Sequence, residues 1–167
     1  MQTQVQKLLT ILVLLTVLMG CSRKKDKFLS RNFHAITAEY NTLFNGRQAF
    51  EQGRDALIEG DQDNFWAILP IERLDSPDFV PLPGEAIAPS FKRAEEKAVK
   101  AIQKHSMAID GTERNPQIDE AFMLLGKARY YDLRFVRALE AFNYILSYYP
   151  ASNNIAQAKI WKAKKLC

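Results

Sequence analysis

The chain has 167 residues, a formal net charge of +4, only seven glycines and only two histidines, His34 and His105. Its balanced mixture of charges argues against nucleic-acid binding, and two histidines cannot supply a zinc site or a catalytic triad. We therefore expect no enzyme, no metal site and no cofactor, and one domain or a piece of a larger one. His105 falls on the apolar face of a predicted helix, which is typical of a core histidine.

Residues 1–20 are predicted to form a signal peptide. Lys7 precedes an apolar run from Leu8 to Met19, which has the length of a signal sequence and is short for a membrane span. The end of the run, Leu18-Met19-Gly20-Cys21, resembles a bacterial lipobox, in which the cysteine thiol receives a diacylglyceryl group. Two acyl chains anchor a protein stably. Cys167 then has no partner, so we expect no disulfide scaffold. The alternative is an ordinary secretory signal with a chance cysteine.

Residues 21–31 are predicted to form a lipidated basic tether. Ser22 differs from the aspartate that retains lipoproteins in the inner membrane of enterobacteria. Surface-exported lipoproteins of Bacteroidetes usually carry acidic residues after the cysteine, whereas Arg23, Lys24 and Lys25 are basic. We therefore expect a location at the periplasmic face of the outer membrane. The basic run either contacts anionic lipid or is a solvated tether.

Residues 32–60 are predicted to form a helical hairpin. Ile36, Tyr40, Leu43 and Phe44 recur at helical spacing, and so do Ala49, Phe50, Ala56 and Leu57. Asn45-Gly46 between these two runs is typical of a helix end and a short turn. Residues 61–89 follow as a proline-rich connector, because interior prolines prevent a long helix.

Residues 90–150 show the most regular helical pattern. Ser90 is a suitable cap for a helix from Phe91, and Asn115-Pro116 suits the start of the next helix. Three apolar faces follow in chain order. Their members are Phe91, Ala94, Ala98, Ala101, Ile102 and His105; then Ile118, Ala121, Phe122, Leu125 and Ala128; then Phe135, Ala138, Leu139, Phe142, Ile145, Leu146 and Tyr149.

The last two of these helices fit the 34-residue tetratricopeptide pattern. The matching positions are Phe122, Leu125, Gly126, Phe135, Ala138, Phe142 and Pro150. The pattern requires small residues such as Gly126 and Ala138 where the two helices cross closely. Phe142 is predicted to fill the gap to the next repeat. Arg129, Leu133 and Ile145 depart from the pattern, Leu133 by replacing a turn glycine. A generic antiparallel helix pair is the alternative.

Further repeats are expected on both sides of this pair. Ala94, Ala98 and Ala101 fit the second helix of a degenerate repeat whose first helix would come from the proline-rich part. Residues 151–167 start another helix, as the first part of a truncated repeat, so we expect a longer protein. Stacked repeats bind partners along an extended groove. Lys127, Arg129 and Tyr130 are therefore predicted as possible partner contacts, with a solvated face as the alternative.

Four segments resemble one family, the SprE/PorW lipoproteins: "YNTLFNG", "DNFWAILPIE", "KRAEEKAVKAIQKHSM" and "ERNPQIDEAFMLLGKARYYDLRFVRALEAFNYILSYYP". These are tetratricopeptide lipoproteins of gliding motility and type IX secretion in Bacteroidetes. The resemblance covers nearly everything after Arg31, in the family's order and behind a lipobox. It implies an all-α repeat fold, an outer-membrane location, and contacts with the periplasmic ring and the translocon of the secretion machinery. It implies no catalytic residues.

Three function classes follow from these observations. The first is a scaffold or adaptor of type IX secretion. The second is an outer-membrane assembly lipoprotein similar to the tetratricopeptide member of the barrel-assembly machine. The third is a SusD-like glycan-binding lipoprotein, which would need aromatic residues presented on loops. Phe65-Trp66 is the adjacent aromatic pair near the connector, and docking of that pair onto a helix is the alternative.

Overall fold

The computed structural model describes residues 4–7, 24, 26–60, 65–66, 68, 74 and 88–164. The predicted lipobox with Cys21, most of the 61–89 connector and Cys167 lie outside these residues. The described chain is mostly helical, as the sequence predicts. After a helical turn at 4–7, its elements are α1 (Phe28–Thr37), a π-helical segment (Ala38–Leu43), α2 (Phe44–Gly60), α3 (Pro89–His105), β1 (Ala108–Ile109), β2 (Thr112–Glu113), α4 (Ile118–Tyr131), α5 (Phe135–Tyr148) and α6 (Ile155–Lys164).

The predicted hairpin at 32–60 is wrong, because residues 28–60 form one continuous helix that passes through Asn45-Gly46. Gly46 is buried against neighbouring helices and is not a helix cap. A Cβ atom there would lie 2.8 Å from Leu124 Cδ2 and 3.0 Å from Lys97 Cβ. The Asn45 side chain donates to the carbonyl of Asn41, one turn back in the same helix. The Asn-Gly pair therefore serves close helix packing, which local sequence does not distinguish from a turn.

The π-helical segment keeps the buried face of this long helix in phase. Ser30, His34, Ala38 and Thr42 are buried at intervals of four residues, which exceeds the 3.6-residue turn of an α-helix. Such a face would drift around an α-helix, and the wider π turn, with its i to i+5 hydrogen bonds, corrects the drift. The amide of Phe44 donates to the carbonyl of Glu39 in this way.

The apolar residues predicted for the core side of this helix lie mostly on its other side. Ile36, Tyr40 and Phe44 are exposed, whereas Leu43 is completely buried. The buried face contains small and polar residues such as Ser30 and His34 instead. The direction of the apolar face was therefore predicted wrongly for the first run, whereas Ala49 and Phe50 of the second run are buried as predicted.

Helix α3 runs antiparallel to the long helix. Phe91, at its start, contacts Gly53, and His105, at its end, contacts His34. The 28–60 helix is thus the partner of α3 among the described residues, and the repeat helix expected from the proline-rich part lies mostly outside them. The predicted cap is wrong: α3 begins at Pro89 without a side-chain cap. The amide of Ala88 donates to Asp132 Oδ1 at 3.0 Å instead.

The α3 face itself agrees with the sequence prediction. Phe91, Ala94, Ala98, Ala101 and His105 are all buried. The alanines leave room for close approach of the helix backbones, since Gly46 faces the carbonyl of Ala94. The small side chains of this face thus suit the close packing of α3 on the long helix.

A two-stranded antiparallel hairpin joins α3 to α4, and the sequence analysis missed it. Asp110 and Gly111 form its tip with φ angles of 51° and 74°. An Asp-Gly pair is favoured in such two-residue turns because both positions need positive φ. Glu113 fixes the hairpin base by accepting hydrogen bonds from the amides of Met107 and Asn115.

Helices α4, α5 and α6 pack in sequence order, and a tight turn connects the first two. The amide of Arg134 donates to the carbonyl of Arg129, and that of Leu133 donates to the carbonyl of Tyr130. This pair of bonds is a Schellman motif, whose central residue is usually glycine. Leu133 occupies that position with φ 59°.

Candidate interaction surface

The predicted signature residues meet where α4 crosses α5. A Cβ atom on Gly126 would lie 2.4 Å from Phe142 Cε1, so the Phe142 ring rests directly on the glycine backbone. Ala138 and Leu125 are buried beside them, Phe122 and Phe135 are half-buried, and Pro150 is exposed after the end of α5. Gly126 thus allows a close crossing at this point.

Phe142 also connects this helix pair to α6. Its ring stacks on Trp161, with centroids 6.1 Å apart and planes at 25°. Trp161 contacts Tyr130 edge-on, and Tyr131 stacks on Phe91 of α3. Aromatic rings therefore form a continuous core from α3 to α6.

The structure changes the interpretation of the three predicted partner contacts. Tyr130 is buried, so it cannot be an exposed contact residue. Arg129 Nε donates to Glu95 Oε1 at 2.7 Å and has a side chain only 17% exposed. The prediction for Tyr130 is corrected, because its ring lies in the core, whereas the prediction for Arg129 stays a prediction. Lys127 is half-buried, and its ammonium lies 5.6 Å from the Trp161 ring centroid. Burial lowers the pKa of Lys127, and its role as a partner contact stays a prediction.

Arg129 belongs to a charged network that joins α3 to the α4–α5 turn. Glu95 accepts hydrogen bonds from Arg129 and Arg134, and Arg134 Nε donates to Asp132 Oδ2 at 2.6 Å. Burial would raise the pKa of Glu95, but the hydrogen bonds from Arg134 and then Arg129 outweigh it, so the pKa lies below its ordinary value. Burial lowers the pKa of Arg134, and its hydrogen bond to Glu95 more than restores it. Glu95 and Arg134 are therefore both ionised at neutral pH.

Three stacked rings on the outside of α4 and α5 form the most distinctive surface feature of this helix pair. Tyr144 stacks on Phe122 with centroids 4.2 Å apart, and on Tyr148 with centroids 4.4 Å apart. Tyr148 is 67% exposed and Tyr144 38% exposed. We call Phe122, Tyr144 and Tyr148 the aromatic ladder. The helical pattern of the sequence did not predict the aromatic ladder, although two tyrosines four residues apart on one helix are a local signal for it.

A cleft of about 750 Å³ lies at the end of the aromatic ladder. It is bounded by β2 and the segment that follows it, by the first turn of α4 and by the segment after α5. Both Tyr148 and Tyr149 line it. Burial raises the pKa of Tyr149, so its hydroxyl stays protonated. The cleft is concave and partly aromatic, which suits the binding of a ligand or a peptide segment.

Two of the three acidic residues that line the cleft, Glu113 and Asp119, are engaged in internal hydrogen bonds. Glu113 accepts from Ser106 Oγ at 2.6 Å, in addition to two backbone amides. Asp119 accepts from Ser152 Oγ at 2.5 Å and from Asn154 Nδ2 at 3.3 Å. These two carboxylates fix the walls of the cleft, and the lining that remains for a ligand includes aromatic rings, amides and the Glu120 side chain.

The two histidines, far apart in sequence, are brought together in the core. His34 Nδ1 and His105 Nδ1 lie 3.2 Å apart and both residues are buried. Among the described residues, no group of three or more histidine, cysteine or acidic side chains is placed to hold a metal ion. Phe65 and Trp66 are both exposed.

Comparison with known proteins gave no family: no family model matches the chain, and no curated protein matches it either. Within the part of the chain that the structure describes, none of the helices has the length and apolar character needed to cross a bilayer.

Proposed function

We propose that this chain is an outer-membrane lipoprotein that acts as a scaffold or adaptor of the type IX secretion and gliding motility machinery. The observation that carries the proposal is the aromatic ladder beside the cleft. Tyr148 and Tyr144 present exposed ring surface, while Glu113 and Asp119 are occupied by internal hydrogen bonds. Tyrosine is enriched among the residues that dominate protein–protein binding. Such a surface suits contact with a partner better than catalysis.

The family resemblance names the partners in this proposal, which are the periplasmic ring and the translocon. A tetratricopeptide-like architecture is part of the same proposal. It is supported by the contact of Gly126 with Phe142 and by the similar contact of Gly53 with Phe91, where a Cβ atom would lie 2.7 Å from Phe91 Cε1. In both helix pairs a phenylalanine of the second helix covers a glycine of the first.

The lipid anchor is proposed at Cys21 from the lipobox. The acyl chains attach to its thiol, and signal peptidase acts on the lipidated precursor. Cys21→Ser should therefore leave an uncleaved precursor that takes up no labelled palmitate. Cys167→Ser, the matched control, should be labelled like the wild type. Normal labelling of Cys21→Ser would disprove the anchor.

The scaffold proposal is tested by deleting the gene in a gliding strain that has no second copy. We expect gliding and type IX export to stop, while outer-membrane barrels still assemble and polysaccharide uptake continues. Complementation with Tyr148→Ala should restore export poorly and reduce co-purification of ring or translocon components. Val136→Ala should restore both, since Val136 is also 67% exposed on α5 but lies outside the aromatic ladder. Normal gliding and export after deletion would refute the proposal.

The aromatic ladder also favours a second candidate, a glycan-binding lipoprotein of the SusD kind, because sugar rings stack on exposed tyrosines. Here deletion would abolish growth on one polysaccharide and leave secretion intact. Loss of barrel assembly would instead indicate the third class, an outer-membrane assembly lipoprotein. The same deletion strain thus distinguishes the three functions.

A further inference from the structure

The long helix at 28–60 carries large apolar side chains on the side that faces away from the protein. Leu29, Phe33, Ile36, Tyr40 and Phe44 are between 48% and 75% exposed. They recur at intervals of three or four residues, so they share one face of the helix. We call these five residues the outer stripe. Phe28, 74% exposed, adjoins its start.

The outer stripe lies opposite the face by which the helix packs. Ser30, His34 and Ala38 point into the protein, and the positions of the stripe fall between them along the chain. A helix at the surface of a soluble domain normally has a polar outer face. A row of five large exposed apolar residues instead marks a surface that is covered by something else.

The outer stripe is confined to the half of the helix that is closest to the predicted anchor. Beyond Phe44 the outer positions are mostly polar: Gln48, Gln52 and Asp55 are exposed, and Ile58, 48% exposed near the end of the helix, is the exception. The change from apolar to polar occurs within one continuous helix. The covering surface therefore contacts the N-terminal half of the helix and leaves the C-terminal half in water.

Positive charge is concentrated at the same end. Residues 21–31 contain five basic residues and one acidic residue, which accounts for the net charge of +4 of the whole chain. The acidic residue, Asp26, pairs with Arg31 at 3.1 Å and with Arg114 at 3.5 Å. The surface that covers the outer stripe should accordingly be apolar in its interior and negatively charged at its edge.

We propose that the outer stripe lies on the membrane that holds the lipid anchor, with its rings among the acyl chains just below the headgroups. This inference rests on the proposed anchor at Cys21. Six residues lie between Cys21 and Phe28, so the two Cα atoms are at most about 25 Å apart. The helix is thus held within reach of the bilayer, and basic residues beside an apolar helix face are typical of helices that bind anionic lipid surfaces.

Depth-dependent fluorescence quenching tests the inference on the full chain. A bimane label is attached to Ile36→Cys in a Cys167→Ser background, and the acylated protein is reconstituted into vesicles of phosphatidylethanolamine and phosphatidylglycerol. Ile160→Cys is the matched control, because Ile36 is 57% and Ile160 58% exposed. Leu29→Cys and Val136→Cys, 75% and 67% exposed, form a second pair. Circular dichroism melting checks that each variant is folded.

Brominated acyl chains should quench the label at Ile36 and Leu29 at least about twofold more than at the control positions, since an interfacial helix buries its apolar face at the acyl boundary. Iodide in the water should show the reverse order. Equal lipid quenching at Ile36 and Ile160 would overturn the inference. Shielding of Ile36 from both quenchers would also overturn it, because it would place a protein, such as a second copy, on the stripe.

Palmitate labelling of the same samples separates this inference from the proposed anchor. A labelled chain without lipid quenching at Ile36 would retain the anchor and reject the membrane contact. An unlabelled chain whose Ile36 probe is still quenched by lipid would reject the anchor and retain the contact.

Discussion

The Nδ1 atoms of His34 and His105 lie 3.2 Å apart in the core, although 71 residues separate them in the chain. One ring must donate and the other accept, so each histidine fixes the tautomer of its partner. The pair joins the start of the long helix to the end of α3. It therefore holds the two antiparallel helices together at the end where the chain enters the long helix and leaves α3.

We expect His34 and His105 to be energetically coupled. His34→Ala and His105→Ala should each destabilise the chain, and the double variant should lose about 1 kcal/mol less than the sum, because the shared hydrogen bond is lost only once. Urea unfolding of the four proteins measures this coupling. His34→Ala combined with Ile160→Ala is the control and should be additive, since Ile160 lies on α6. Additive effects in the histidine pair would contradict the contact.

Gly126 should not tolerate even one added methyl group. Gly126→Ala is expected to lower the free energy of unfolding by about 1–3 kcal/mol, because the new Cβ would overlap the Phe142 ring. Gly60→Ala, where a Cβ meets nothing within 4 Å, should change it by at most about 0.5 kcal/mol. Urea unfolding measures both. Combining Gly126→Ala with Phe142→Leu should recover part of the loss, and equal stabilities of Gly126→Ala and Gly60→Ala would argue against the close crossing.

Leu133 should behave as a glycine position. Leu133→Gly and Leu133→Ala both remove the side chain, but only glycine adopts φ 59° without strain, so the glycine variant should be more stable by about 1–2 kcal/mol. Thermal melting of the two variants measures the difference. The control pair is Glu140→Gly and Glu140→Ala, at an exposed helical position. There the alanine variant should be more stable than the glycine variant by about 1 kcal/mol, because alanine is the better helix former. The same order at both positions would mean that the turn does not require positive φ.

The Glu95 network should make stability depend on pH. Because the folded-state pKa of Glu95 is lowered, its contribution is complete at neutral pH and is lost as the pH falls below about 4.5. Glu95→Gln should cost about 2 kcal/mol at pH 7, since it removes the carboxylate that Arg129 and Arg134 share, while Arg134 keeps its bond to Asp132. The difference from the wild type should narrow at pH 3 in urea unfolding. Glu96→Gln, the exposed neighbour, should cost at most about 0.5 kcal/mol at either pH, and a pH-independent loss for Glu95→Gln would contradict the network.

The elements from α3 to α6 could be predicted because the spacing of the apolar residues and the positions of the prolines indicate the same helices there. Pro89, Pro116 and Pro150 lie near helix boundaries, and the buried faces of α3, α4 and α5 are those that the helical period indicated. The Asp110-Gly111 turn carried a clear local signal too, which the sequence analysis did not use.

The first helix shows why other features could not be predicted. Gly46 looks like a helix end in sequence, and only the approach of α3 and α4 explains why it lies within a helix. Ile36 and Tyr40 follow the helical period, but their direction depends on what covers the outer stripe. The aromatic ladder likewise needs Phe122 from one helix and Tyr144 from another to come together in space.

The antiparallel arrangement of the long helix and α3 has a mechanical consequence. The 28–60 helix is roughly 50 Å long at 1.5 Å per residue, and the chain enters and leaves this helix pair at the same end, beside His34 and His105. Tension between residues 27 and 106 would therefore peel the two helices apart one contact at a time, instead of shearing all their contacts at once. The histidine pair is the first contact to bear such a load, and the packing of Gly53 on Phe91 is among the last.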